Sequence, residues 1–296
     1  MDKGKDIIFY TVIDPSGRDN TSGGPQTAMN MINHVRNLGF NVTICTPGKE
    51  FINPDSSLFN IYHDIYNDPG GSKWFSVDQQ YKLLGSSSPY MFSECAYTGC
   101  IASPYGEGSH ELNQISSVTR AFVAGASVSV FASPLHSEEF KSFLHLDRDV
   151  NTFIYPREVD TSMFTDFGID RDIEYLTVGA INHWKGTDIV VSKYRHSNLH
   201  VAGYGSTLPS GATNLGRVPH KDLPELYNRS KNFVHLPRWK EAFGRTVAEA
   251  SLCGCNIIGN KNVGALSCEG DLSTPDFYQK SRKRFISMIK ETFLEG

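Results

Sequence analysis

Two glutamates, Glu241 and Glu249, stand with seven residues between them and bracket Phe243-Gly244 in the run FVHLPRWKEAFGRTVAEASLCGCNIIGNKNVGAL, 233–266. The run reads as strand, loop, helix and strand, followed by a loop that carries Gly264. Gly244 opens the helix GRTVAEASLC, so the N–H groups of its first turn can face an anion. Glu241 precedes that turn and can accept hydrogen bonds from sugar hydroxyls. Glu249 lies about two turns further on, where a carboxylate can accept from a ribose diol. Together these groups suit the holding of a nucleotide-sugar. A lone helix glutamate is ordinarily a solvated residue; it is the EAFG setting and the following GCNIIGNKNVGAL that favour the binding role.

Further residues extend that chemistry. Lys185 follows the turn INHW after a strand and can neutralise a diphosphate as a point charge. Gly23 and Gly24 fall in the long loop DPSGRDNTSGGPQ, where the missing Cβ atoms allow backbone to approach a phosphate or sugar. Other phosphate motifs fail. Gly203-Tyr204-Gly205 lacks the third glycine of a dinucleotide fingerprint, and Gly186 follows Lys185 instead of preceding it as a P-loop requires. Lys280, Arg282, Lys283 and Arg284 form a basic run near the C-terminus. Such a run ordinarily solvates a helix face; its alternative use is to track the phosphates of DNA or a lipid headgroup.

The elements that must position these residues alternate strand-like and helix-like, which predicts α/β layers with parallel sheets. DIIFYTVI, FNVTICT, LFNIYHDIY, PYMFSECAY and SVSVFAS read as strands of a first half. TAMNMINHVRNLG spaces Met31, Val35 and Leu38 along one helical face and stops at Gly39. In the second half EYLTVGA, LHVAGYG, NFVHLP and CNIIGN read as strands, and DLPELYNRS and GRTVAEASLC as helices. The closing helix spaces Phe285, Ile286, Ile289 and Phe293 on one side. A chain of 296 residues with net charge −4 has room for two cores and no whole-molecule attraction to nucleic acid. The start, MDKGKDIIFYTVID, has no long apolar run, and no stretch approaches a membrane span, so a soluble cytoplasmic protein is expected. None of the six cysteines forms a Cys-x-x-Cys pair, which predicts reduced thiols and no zinc ribbon.

The run from Glu241 to Glu249 resembles the donor site of glycosyltransferase family 4, whose pattern is Glu, seven residues, Glu, with Phe-Gly after the first. YLTVGAINHWKGTDIVV resembles the family's strand, turn and Lys-Gly; LHVAGYGS its next strand; NLGRVPHKDLPELYNRSKNFVHLP its approach to the first Glu; IYPREVDTSMF its interdomain segment; and SGGPQ its Gly-Gly loop. The resemblance implies the GT-B fold, with a first domain over 1–158, a second over 171–275, and the helix 276–296 crossing back to the first. It implies a retaining transferase that uses a nucleotide-diphospho-sugar, UDP-sugar foremost, as co-substrate, without a metal or other cofactor; no Asp-x-Asp motif is present. Donor contacts fall on Gly23, Gly24, Lys185, Glu241, Ala242, Phe243, Gly244, Arg245 and Glu249, with Glu241 at the sugar and Glu249 at the ribose.

The chain departs from the pattern in two places. Ala180 stands where the family usually has an Arg, and Arg245 is the candidate replacement. Glu94 or Cys95 stands where the family has a His after PYMFSECAY; Glu94 is taken as the third catalytic residue, with His110, His63 and His136 as further options. These departures leave two rivals open, a catalytically silent GT-B binding module and a GT-B sugar-nucleotide epimerase. The acceptor is unnamed by sequence: a small sugar or glycan is favoured, and a hydroxymethylated DNA base bound through the Lys280–Arg284 run is the alternative.

Overall fold

The computed structural model describes residues 4–12, 23–65, 75–95, 111–146 and 149–295. They form two compact units. One comprises 1–132, 137–155 and 282–296; the other comprises 133–136 and 156–281.

The first unit is a six-stranded sheet of β1 (Asp6–Thr11), β2 (Asn41–Cys45), β3 (Phe59–His63), β4 (Tyr90–Ser93), β5 (Val128–Phe131) and β6 (Thr152–Ile154). The order is β2-β1-β3-β4-β5-β6 and every pairing is parallel. Strands β3, β4 and β5 are buried at every position, as strands covered on both faces must be. The covering helices include α1 (Gly23–Asn37), α2 (Val77–Leu84), α3 (Glu111–Gly125) and α4 (Pro134–Phe143). Helix α1 sets Ala28, Met31, Ile32 and Val35 in a core with Ile7, Phe9, Ile61 and Val130, and Gly39 follows it at φ +87°. Phe285, Met288 and Ile289 belong to the same core; Phe285 stacks on Tyr155 at 4.2 Å and Phe293 on Phe59 at 4.3 Å. Helix α2 starts on a reciprocal cap between Ser76 and Gln79.

Gly23 and Gly24, expected in a loop, are instead the first residues of α1. Pro25 explains this: it needs no N–H partner in the first turn, and its fixed φ suits a helix start.

The second unit is a five-stranded parallel sheet of β7 (Ile173–Val178), β8 (Leu199–Ala202), β9 (Thr213–Gly216), β10 (Ser230–His235) and β11 (Asn256–Gly259), in the order β11-β10-β7-β8-β9. Its helices are α5 (Thr187–Tyr194), α6 (Leu223–Asn228), α7 (Arg245–Leu252) and the start of α8 (Pro275–Phe293). Ile181, Val190, Val191, Leu199, Val201 and Val234 make a core on one face. Among the described residues no helix is long and apolar enough to cross a membrane, and Cys45, Cys95, Cys253, Cys255 and Cys268 are free thiols.

One glycine decides how the loops above this sheet meet. Gly186 has φ +67°, and a Cβ placed there would lie 2.0 Å from the Leu236 carbonyl oxygen. Gly168 has a similar φ of +65° but nothing within 4 Å of that point. Gly168→Ala should therefore cost only the left-handed penalty, about 1–2 kcal/mol. Gly186→Ala should cost clearly more, because backbone must also move. Urea unfolding of the two variants checks this, and equal losses would show that the close approach is unimportant.

Candidate active site

Parallel α/β sheets present ligand sites where strands end and loops begin. Here the loops after the adjacent strands β7, β10 and β11 converge. The β7 loop turns back on itself, with Lys185 N–H donating to Asn182 Oδ1 at 2.8 Å. The β10 loop is clamped to it. Arg238 N–H donates to the Trp184 carbonyl at 2.9 Å, and its guanidinium makes two 2.6 Å bonds to Asp188. That bidentate bond holds the Asp188 carboxyl below its ordinary value. The β11 loop closes the third side: Glu241 N–H donates to Asn262 O at 2.7 Å, and Gly264 N–H to Glu241 O at 3.1 Å. Gly264 has no room for a side chain, since a Cβ would lie 2.4 Å from Ala242 O and 2.6 Å from Ser133 Oγ.

These contacts bring Lys185 and Glu241 together although 55 residues separate them in sequence. Lys185 Nζ donates to Glu241 Oε1 and lies 5.8 Å from the centre of the Trp239 ring. The other oxygen, Oε2, is 2.8 Å from His235 Nε2 at the end of β10. Glu241 is 4% exposed and His235 is equally buried. Burial alone pushes the Glu241 carboxyl up, but the charges and hydrogen bonds of His235 and Lys185 outweigh it and hold the group well below the usual carboxylate range. Glu241 is thus an anion at neutral pH.

Gly244 precedes α7 in the left-handed conformation at φ +90° and turns the chain from Glu241 into the helix. Arg245 and Thr246 are the first residues of α7, so their N–H groups lie at its positive end. Ala242 and Phe243 are buried, and Phe243 O accepts from Ala265 N–H at 2.6 Å. Glu249 is on α7 and 2% exposed. Its Oε2 accepts from the Tyr227 hydroxyl at 3.2 Å, while its Oε1 is 3.3 Å from His220 Nε2 and 3.7 Å from Arg245 Nε. Desolvation and then the nearby carboxylate push the Tyr227 phenol far up, so it stays a donor. Arg245, the candidate replacement for the cation missing at Ala180, is therefore turned toward Glu249.

The remaining candidates lie elsewhere. Gly23 and Gly24 start α1, Glu94 follows β4 and is 1% exposed, and His63 ends β3, all in the first unit. His136 is buried in α4. His110 lies outside the described residues. Sequence reading overlooked His235, His220 and Tyr227. His235 had a signal, since it ends the strand that leads into the Glu241 loop; the other two reach Glu249 only once α6 and α7 have packed together.

The Glu241 pairing has a testable sign. A carboxyl whose folded value is depressed contributes stability that is present above its ordinary pKa and is lost as pH falls through the folded value. Lys185→Met removes one of the two stabilising charges and raises the folded value. The acid-unfolding midpoint, followed by circular dichroism, should therefore move to higher pH in the variant. An unchanged midpoint would mean that the pair does not set the Glu241 charge.

Residues 161–274 match the family described as glycosyl transferases group 1. No curated protein sequence matches the chain. Among solved structures, sucrose-phosphate synthase from Thermosynechococcus elongatus is 13% identical, with a TM-score of 0.60 over 98% of this chain and 95% of that one. Anabaena HepE in complex with UDP-glucose is 14% identical, with a TM-score of 0.56 over 97% and 92%. An alpha-glucosyltransferase in complex with UDP and a 13-mer DNA containing an HMU base is 10% identical, with a TM-score of 0.54 over 97% and 95%. The two parallel-sheet units thus have the GT-B fold of glycosyltransferases, and the Lys185–Glu241 pair and Glu249 lie within the stretch that matches the glycosyl transferases group 1 family.

Proposed function

We propose that this chain is a retaining glycosyltransferase that moves a sugar from a nucleotide-diphospho-sugar, UDP-sugar foremost, to a hydroxyl acceptor, a small sugar or glycan being favoured. The observation that carries the reading is the Lys185–Glu241–His235 cluster beside the N-terminus of α7. A departing diphosphate gains charge as the glycosidic bond breaks. A lysine ammonium and the positive end of a helix, fixed beforehand, stabilise that charge. Glu241, held as an anion, accepts from sugar hydroxyls and orients the ring, while Glu249, held by Tyr227 and His220, faces the ribose. In this reading the diphosphate takes over Lys185 from Glu241 on binding, which frees Oε1 for the sugar. Glu94 is the first-unit carboxyl proposed at the reacting centre. Retention rests on the family resemblance and is checked by the anomeric configuration of the product.

Three variants separate the roles. Lys185→Ala should lower kcat about a hundredfold or more with the fold intact. Glu241→Gln should lower mainly kcat, because it positions the reacting sugar. Glu249→Gln should raise mainly the donor KM, because ribose is gripped equally in ground and transition states. If the two glutamate variants show the same pure affinity loss, the separate roles are wrong. Binding of UDP-glucose with no transfer and no hydrolysis would favour the silent module, and an epimerised donor in the absence of acceptor would favour the epimerase.

A second reading, a hydroxymethylated DNA acceptor, has one feature in its favour: Lys280, Arg282, Lys283 and Arg284 are exposed on α8. Lys280 is paired with Asp276 at 2.6 Å and Arg284 lies over the Phe153 ring at 5.8 Å, as on an ordinary solvated face. If the run tracks phosphates, neutralising all four residues should flatten the slope of log affinity against log salt by up to about 4 while donor hydrolysis is kept. Absence of duplex binding at low salt removes this acceptor.

A further inference from the structure

A second cluster, in the first unit, brings together an imidazole, a carboxylate and a thiol. His63 ends β3, Asp64 follows it, and Cys95 lies just past the end of β4. The two strands are in register there, with His63 opposite Ser93. Asp64 N–H donates to Ser93 O at 3.0 Å, which ties the two loop starts together. One ligand-type atom from each of His63, Asp64 and Cys95 falls within 4.8 Å of the others.

The orientation of each group is specified. Asp64 takes the left-handed conformation at φ +43°, where Asp is among the tolerated residues. Its Oδ1 accepts from Cys95 N–H at 2.5 Å. That bond fixes the carboxylate plane and leaves Oδ2 directed inward. Oδ2 is buried, accepts no hydrogen bond among the described residues, and lies 3.4 Å from His63 Nε2. Cys95 Sγ lies 3.4 Å from the same nitrogen. A nucleophile relay would place the thiol on one ring nitrogen and the carboxylate on the other. Here both converge on Nε2, so the arrangement does not fit a relay.

It fits a shared cation. Zinc bond lengths and a tetrahedral angle put nitrogen and oxygen ligands about 3.3 Å apart, and nitrogen and sulfur ligands about 3.6 Å apart. Both observed separations are close to these. We propose that His63 Nε2, Asp64 Oδ2 and Cys95 Sγ form a binding site for a divalent metal ion of the zinc class, with the fourth position left for a water or a hydroxyl oxygen. Thiolate, imidazole and carboxylate form a donor set suited to Zn2+, and two anionic ligands balance its charge. Binding requires loss of the Cys95 proton, so affinity rises with pH. The site adjoins Glu94, and its test reads metal binding alone, so it can fail without the transfer reading failing.

The test uses the full chain, stripped of metal, with Zn2+ and Co2+ as probes. The expected result is one Zn2+ per chain by calorimetry, and a thiolate-to-cobalt charge-transfer band on adding Co2+. Cys95→Ser should abolish the band. Asp64→Asn, nearly isosteric, should weaken Zn2+ binding by about a hundredfold or more, since even the loss of outer-shell partners costs 10–100-fold. Should Cys95→Ser fail to fold by circular dichroism, Asp64→Asn alone decides. Lack of stoichiometric binding to the wild-type chain, a band that survives in folded Cys95→Ser, or unchanged affinity in Asp64→Asn each overturns the site.

Discussion

A carboxylate that is 4% exposed stays ionised only where charge and hydrogen bonds replace water, and Glu241 is such a group. Its two oxygens draw on two different strands. His235 comes from the end of β10 itself, and Lys185 from the loop after β7. The backbone of Glu241 is in turn hydrogen-bonded to the loop after β11. Three loops are therefore tied at one residue, and the tie tolerates little change. The β7 loop can reach the β10 loop only because Gly186 lets the Leu236 carbonyl come where a side chain would be. Breaking a buried pair leaves an uncompensated charge and costs about 3–5 kcal/mol in general. The local fold and the electrostatics of the site are thus the same constraint seen from two sides.

Glu249 answers the same problem differently. It is as deeply buried, but its partners are a neutral phenol, an imidazole and the partly withdrawn guanidinium of Arg245. One glutamate is thus held against the ammonium of Lys185, and the other against a phenol and an imidazole. Glu249 lies on α7 itself, whereas Glu241 precedes Gly244, whose φ of +90° turns the chain into the helix. Two chemically identical side chains thereby acquire different environments.

The readable parts of the sequence were those in which local pattern and tertiary role coincide. The buried strands are short apolar runs, α1 has its apolar face at helical spacing, and Gly244 stands where a helix begins. Helix α4 was not evident, because PLHSEEFKSF shows little periodicity and takes shape through burial of Phe140 and His136. Strand β9, TNLG, is largely exposed and short, so it carries no hydrophobic alternation to read. Gly23 and Gly24 suggested a loop, yet Pro25 lets a helix start there. At the site, the EAFG run announced Glu241, but nothing local announces that Tyr227, 22 residues before Glu249, would meet it.

The His63–Asp64–Cys95 cluster shows why such groupings escape motif reading altogether. Its members come from two strand ends, 31 residues apart, and only the parallel pairing of β3 with β4 makes them neighbours. Both clusters nevertheless obey one topological rule, since each lies where parallel strands end and side chains can converge on a point. They differ in charge. At Glu241 the chain supplies its own cation, Lys185, so the group is satisfied from within. At Asp64 the donors offered to the shared point are a carboxylate, a thiol and an imidazole. A convergent set of that kind gains most when a cation comes from solution, because the same ion orders all three groups and fills the point that they share.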